Sequence, residues 1–195
     1  MRIFLAALLG GIAMFIWSAI AHMALPLGEA GLRDVPSPAV LDGLQSSLGD
    51  QAGLYVLPGF GLAPDATSAQ KQEAMKHLDQ RVAKYPSGLL MYFPAGVRPL
   101  MMGRWLGVEF ATEFLESLLV VLLLGCTRLI TFGGRLGFVM VAGVLAAIAT
   151  NISYWNWYGF PTTYTAAYMF MQVAGFFFAG LAIALVLKNQ RTTAS

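Results

Sequence analysis

The run Arg104-Trp-Leu-Gly-Val-Glu109-Phe-Ala-Thr-Glu113-Phe-Leu-Glu116-Ser-Leu-Leu-Val-Val-Leu-Leu-Leu-Gly-Cys-Thr-Arg128 decides how the chain is read. It is long and apolar enough to cross a bilayer as a helix, yet it carries Glu109, Glu113 and Glu116. At 100° per residue these three fall within about 60° of one another and so share one helical face. An ionised side chain at the bilayer centre costs roughly 2.5–3.5 kcal/mol to insert, so an acidic face must turn toward polar company inside a bundle. All other acidic residues lie between Leu25 and Leu100.

The rest of the chain agrees with a membrane setting. Of 195 residues, 57% are hydrophobic and only 11% charged, a balance that belongs to an integral membrane protein and not to a soluble domain. A net charge of +2 without a basic run leaves no electrostatic footprint for nucleic acid. Cys126 is the single cysteine, so an internal disulfide, a CxxC redox pair and a thiolate metal cluster are all excluded. Its place in an apolar run reads as a small buried packing residue.

Four spans and one insert follow. Residues 1–25 read as transmembrane helix 1, beginning after Arg2 and ending at Pro26. Ala19-Ile20-Ala21 resembles a signal-peptidase site, but the apolar stretch is longer than a signal h-region of about 7–15 residues, so a retained helix is expected. Ala7 with Gly11, or Gly10 with Ser18, gives it small faces for close packing. Residues 26–99 form an extracytoplasmic insert of two helices and two short strands. Ser37-Pro38 marks a helix start, an N-cap followed by proline in the first turn. A second helix is expected over 68–84, with Met75, Leu78 and Val82 on one side. The phrases Gly53-Leu-Tyr-Val-Leu-Pro58-Gly59 and Gly88-Leu-Leu-Met-Tyr-Phe-Pro94-Ala-Gly96 read as strands. A helix between them favours a parallel βαβ pairing, with an antiparallel pair as the other arrangement. An insert of this size is expected to rest on the bundle.

Residues 100–187 hold helices 2–4, over about Leu100–Leu129, Leu136–Trp157 and Pro161–Leu187, and 188–195 a polar cytoplasmic tail. Thr131-Phe-Gly-Gly-Arg135 and Trp155-Asn-Trp-Tyr-Gly-Phe-Pro161 are expected as tight connections, the second aromatic as interfacial belts are. The architecture is therefore an all-α membrane protein, four transmembrane helices with a small α/β extracytoplasmic insert between helices 1 and 2. Arg2, Arg128, Arg135, Lys188 and Arg191 gather on one side without an acidic residue, which places both termini in the cytoplasm and the insert outside.

The acidic face begins one to two turns inside Arg104 and reaches mid-membrane at Glu116; beyond it the same face is nearly apolar. A pocket open to the outside fits this pattern and a continuous ion path does not. His22 lies at the outer end of helix 1. Asn151, Tyr154 and Tyr158 share a face of helix 3, and Tyr164, Tyr168 and Gln172 follow at i, i+4, i+8 on helix 4. These would complete one cavity capped by the insert. Its ligand or metal candidates are Glu109, Glu113, Glu116 and His22. Three readings of it compete. The carboxylates are satisfied by Arg98, Arg104, His22 and tyrosine hydroxyls and only fix helix register. Or they and the imidazole hold a transition metal, although no Glu-x-x-His pair is present. Or they form a proton-linked or cationic small-molecule site, since clustered carboxylates can share protons.

His77, beside Lys76 and Asp79, reads as a solvated side chain, and Met101-Met102 as filler at a helix end. Gly175, Ala179 and Gly180 read as a helix-packing surface toward this chain or another. The triplet Asn151-Ile-Ser153 falls inside a span, out of reach of glycosylation. There is no nucleophile elbow, phosphate-binding glycine loop or HExxH.

Gly10 to Leu32, with His22 and the phrase Leu25-Pro-Leu-Gly-Glu-Ala-Gly-Leu32, resembles the start of a family of small bacterial inner-membrane proteins, and the two phrases ending Pro58-Gly59 and Pro94-Ala-Gly96 extend the likeness. The resemblance implies the bacterial inner membrane as location and implies no activity, cofactor or functional residue. The functional expectation is a non-enzymatic membrane component or accessory subunit, with the bilayer and a membrane-protein partner or a second copy as its company. The alternative is a membrane metalloprotein or intramembrane enzyme using the glutamates and His22 as ligands or acid–base groups.

Overall fold

Hydrophobic length sets the frame of the molecule. The computed structural model describes residues 1–63 and 65–187, and the polar tail with Lys188 and Arg191 lies outside them. Two compact units result, Met1–Leu32 together with the chain from Met101 onward, and Arg33–Leu100.

The first unit contains the long helices. They are α1 (Arg2–Met23), α5 (Met102–Gly125), α6 (Phe132–Tyr158) and α7 (Thr162–Leu187). Three of these, α1, α6 and α7, are long and apolar enough to cross a membrane, a composition compatible with a membrane protein. At about 36 Å, α5 has the length, but Arg104 and the three glutamates interrupt its apolar character. Its apolar faces carry exposed Leu115, Leu119 and Leu122.

Packing runs in the order α5–α1–α7–α6, each helix antiparallel to its neighbour. Phe4 and Phe15 of α1 meet Phe114 and Phe110 of α5 edge to face, at 5.8 and 5.6 Å. Small residues set the approach: a Cβ at Gly11 would lie 2.7 Å from the Phe114 Cα, and one at Gly10 would overlap the Ser117 hydroxyl. Gly175 faces Met14 and Trp17 of α1, and Gly180 faces Leu136 and Val139 of α6, so the small surface of α7 finds its partners within this chain. By contrast α5 and α6 barely touch. The core cluster gathers Ala6, Ala7, Val120, Val121, Val139 and Ile183, all toward the end where α1 begins.

Three expectations for this unit need correction. Thr131-Phe-Gly-Gly-Arg135 is not a loop but the start of α6: the Thr131 hydroxyl caps it by accepting from the Gly134 N–H at 3.1 Å. Arg135 is consequently buried, its Nε donating to the Leu129 carbonyl at 3.1 Å. Likewise α6 runs on through Tyr158 and stops at Gly159 in the left-handed region (φ 69°), leaving only Gly159–Pro161 as the connection. Finally, Cys126 is exposed, because it is the C-cap residue of α5 and not part of its packed face.

The second unit contains α2 (Pro38–Leu48), β1 (Gly53–Leu57), α3 (Ser68–Lys76), α4 (Leu78–Lys84) and β2 (Gly88–Tyr92). Ser37 caps α2, accepting from the Ala39 N–H, and a Thr67–Gln70 capping box starts α3. The single helix expected over 68–84 is two, broken at His77, whose ψ of 3° leaves the helical well. His77 is exposed, with Nε2 3.6 Å from Glu73, and Met75 and Val82 are exposed as well. The strands pair antiparallel, Gly53 opposite Tyr92 and Leu57 opposite Gly88, against the parallel arrangement favoured above. A parallel pair needs cover on both faces, whereas Leu54, Val56 and Met91 are exposed; antiparallel pairing tolerates that.

Candidate functional site

Helix periodicity assembles the site. On α5, Glu109, Thr112, Glu113 and Glu116 follow at i, i+3, i+4, i+7, and on α7 Tyr168, Met171, Gln172 and Gly175 repeat the same spacing. Met14, Ser18 and His22 lie at i, i+4, i+8 on α1, with Trp17 beside them, and Thr150 and Asn151 come from α6. Together they line a cavity of about 420 Å³ in the half of the bundle away from Met1, where α5 and α6 stand apart.

Glu113 is the most buried of the three glutamates, only 6% exposed. The Ser18 hydroxyl of α1 is its hydrogen-bond donor. Its Oε2 is buried and has no hydrogen-bond partner. Glu116 is half-buried and Glu109 exposed at the rim. Among the described residues, no lysine or arginine lines the cavity, and neither Arg98 nor Arg104 belongs to it. A buried carboxylate oxygen without a donor costs on the order of 1–3 kcal/mol, so the arrangement is not one that packing alone would favour.

His22 is anchored by its own helix, Nδ1–H donating to the Ser18 carbonyl at 2.9 Å. Its ring meets Tyr168 edge-on at 6.2 Å and lies under the turn at Leu27–Glu29, where Gly28 leaves room for it. Trp17 is fixed by its Nε1–H donating to the Met171 carbonyl at 2.8 Å. On the opposite wall Gln172 Oε1 accepts from Asn151 Nδ2 at 3.3 Å and lies 3.0 Å from the Thr150 hydroxyl, tying α6 to α7.

Of the ten residues singled out from the sequence, Glu109, Glu113, Glu116, His22, Asn151, Tyr168 and Gln172 line this cavity. Tyr154, Tyr158 and Tyr164 do not. Tyr158 shares the azimuth of Asn151 but sits about 10 Å farther along α6, past the mouth. Tyr154 is rotated off that face and packs on Tyr158 and Phe160, at 5.7 and 5.4 Å. Tyr164, a turn beyond Tyr168, stacks on it at 4.2 Å and supports it from behind. Ser18, Thr112 and Thr150 were not foreseen, although their i+4 or i+3 spacing to His22 and Glu109 and their neighbourhood to Asn151 carried the signal. Met14, Trp17 and Met171 had none, since apolar helix residues look alike whether they line a cavity or a seam.

The group can neutralise and hold a positive charge. Among the described residues, no three His, Cys, Asp or Glu side chains converge closely enough to hold a metal ion. No family model, curated protein or solved structure matches the chain.

Proposed function

We propose that the chain is a non-enzymatic four-span component of the bacterial inner membrane, serving as an accessory subunit, whose outer half captures a cation in the carboxylate-lined cavity. One observation carries this reading: Glu113, 6% exposed, lines a cavity with no lysine or arginine among its described lining residues, and its buried Oε2 has no hydrogen-bond partner. Buried carboxylates are ordinarily paired, and the missing partner is what a ligand would supply.

The fourth span is α5, because it packs along α1 within one unit and its glutamates face the cavity instead of lipid. Retention of α1 is favoured by its place between α5 and α7, where it supplies Ala6, Ala7 and Met14 to the core. Arg2, Arg128 and Arg135 cluster at the packed end, which the positive-inside rule assigns to the cytoplasm; the cavity then opens to the periplasm, as does the insert. The resemblance of Gly10–Leu32 to inner-membrane proteins supports the same location.

The reading is tested by native mass spectrometry of protein purified in mild detergent. A cationic adduct or a stoichiometric membrane-protein partner retained by wild type and lost in Glu113→Gln is expected. A bare wild-type chain, indistinguishable from the variant, would overturn it.

A further inference from the structure

We infer that the cavity's ligand is a singly charged organic cation with an apolar or aromatic body, an amine or quaternary ammonium, and not an inorganic ion. The inference rests on the cation-capture reading above and deepens it. Size comes first. A space of about 420 Å³ lies within the roughly 300–1,000 Å³ of small-molecule pockets and far exceeds a bare ion. Ligand geometry agrees: among the described residues no three carboxylate, imidazole or thiolate side chains close around a point, so a small hard cation would keep much of its charge unsatisfied.

The walls name the rest of the molecule. The cavity's carboxylates all come from α5, with Glu113 the most buried and its Oε2 without a hydrogen-bond donor, while the imidazole of His22 comes from α1. The same cavity is lined by the indole of Trp17 and the ring of Tyr168, which stacks on Tyr164 with one face, and by the thioethers of Met14 and Met171. Indole and phenol rings attract an ammonium through their π-faces, and thioethers accommodate varied apolar shapes. The Trp17 indole is held in place by its bond to the Met171 carbonyl, so this wall is formed before any ligand arrives. Finally, α5 and α6 barely touch, leaving the cavity's side between them for an apolar body that extends toward the hydrocarbon. A hydrated inorganic ion gains nothing from that side.

The test uses the full chain in detergent with benzyltrimethylammonium as probe, its charge fixed at all pH, alongside sodium and magnesium. Saturable binding of the probe is expected, weakened at least about 30-fold by Glu113→Gln, as for loss of one partner of a buried charge pair. Trp17→Leu should weaken it about 2- to 10-fold. Glu113→Asp, which keeps the charge, should retain binding, and thermal unfolding of each variant reports its fold. Glu113-dependent binding of sodium or magnesium without the probe would overturn this inference while leaving cation capture intact. Absence of binding by all three cations, or probe binding unchanged in Glu113→Gln, would overturn both.

Discussion

The same four helices build two unlike halves. Near Met1 the bundle is dry: Ala6 and Ala7 meet Val120, Val121 and Leu124, and Ile183 is fully buried among them. Away from Met1 the helices exchange these residues for Glu109, Glu113, Glu116, His22, Asn151 and Gln172, and the bundle opens. Glycines explain much of the difference. Gly10, Gly11, Gly143 and Gly180 each sit where a Cβ would strike a neighbouring helix, so close approach is concentrated in the packed half. In lipid there is no hydrophobic drive between helices, and contact of this kind does the holding. A rigid packed half lets the open half keep a carboxylate whose hydrogen bonding is incomplete.

Three substitutions probe this division. The largest effect belongs to the packed half: Ile183→Ala should lower stability by about 2–5 kcal/mol, because the site is closed on all sides and cannot collapse. Denaturant or thermal unfolding in detergent reads it; a loss below that of Thr150→Val would break the comparison. Next comes Glu113→Gln, expected to leave stability unchanged or raise it by up to about 1–3 kcal/mol, since it removes a buried charge with an unpartnered oxygen. A marked loss would instead make the glutamates a structural network that fixes helix register. The smallest is Thr150→Val, which deletes one interhelical contact to Gln172 and should cost about 0.6 kcal/mol.

How much of this was legible in the sequence follows from what stands out in an apolar background. Three glutamates in a membrane-length run are conspicuous, and their spacing alone puts them on one face, so Glu109, Glu113 and Glu116 and the mid-bundle end of the polar stripe could be read directly. His22, Asn151, Tyr168 and Gln172 were legible for the same reason. The lengths of α1, α6 and α7 follow from composition, and the caps at Ser37 from local chemistry. What could not be read is what depends on neighbours. The gap between α5 and α6 is a property of packing order, so the aromatic and thioether wall of Trp17, Met14 and Met171 looked like ordinary core. Tyr158 shares the azimuth of Asn151 but not its depth, and Tyr154 is rotated off that face onto Tyr158 and Phe160. The break at His77 has no glycine or proline to announce it, and strand direction depends on which faces stay covered. Thr131 looked like a loop residue because a capping threonine and a turn threonine are locally alike.

Thiol accessibility in intact cells tests the division most directly. In a Cys126→Ser background, Thr112→Cys places a thiol on the cavity wall and Val121→Cys places one in the packed half, both on α5. A membrane-impermeant maleimide added from outside should modify the first and leave the second untouched. Modification of Thr112→Cys only from the cytoplasmic side, or failure to modify it from either side, would contradict an outward-facing polar cavity on this helix.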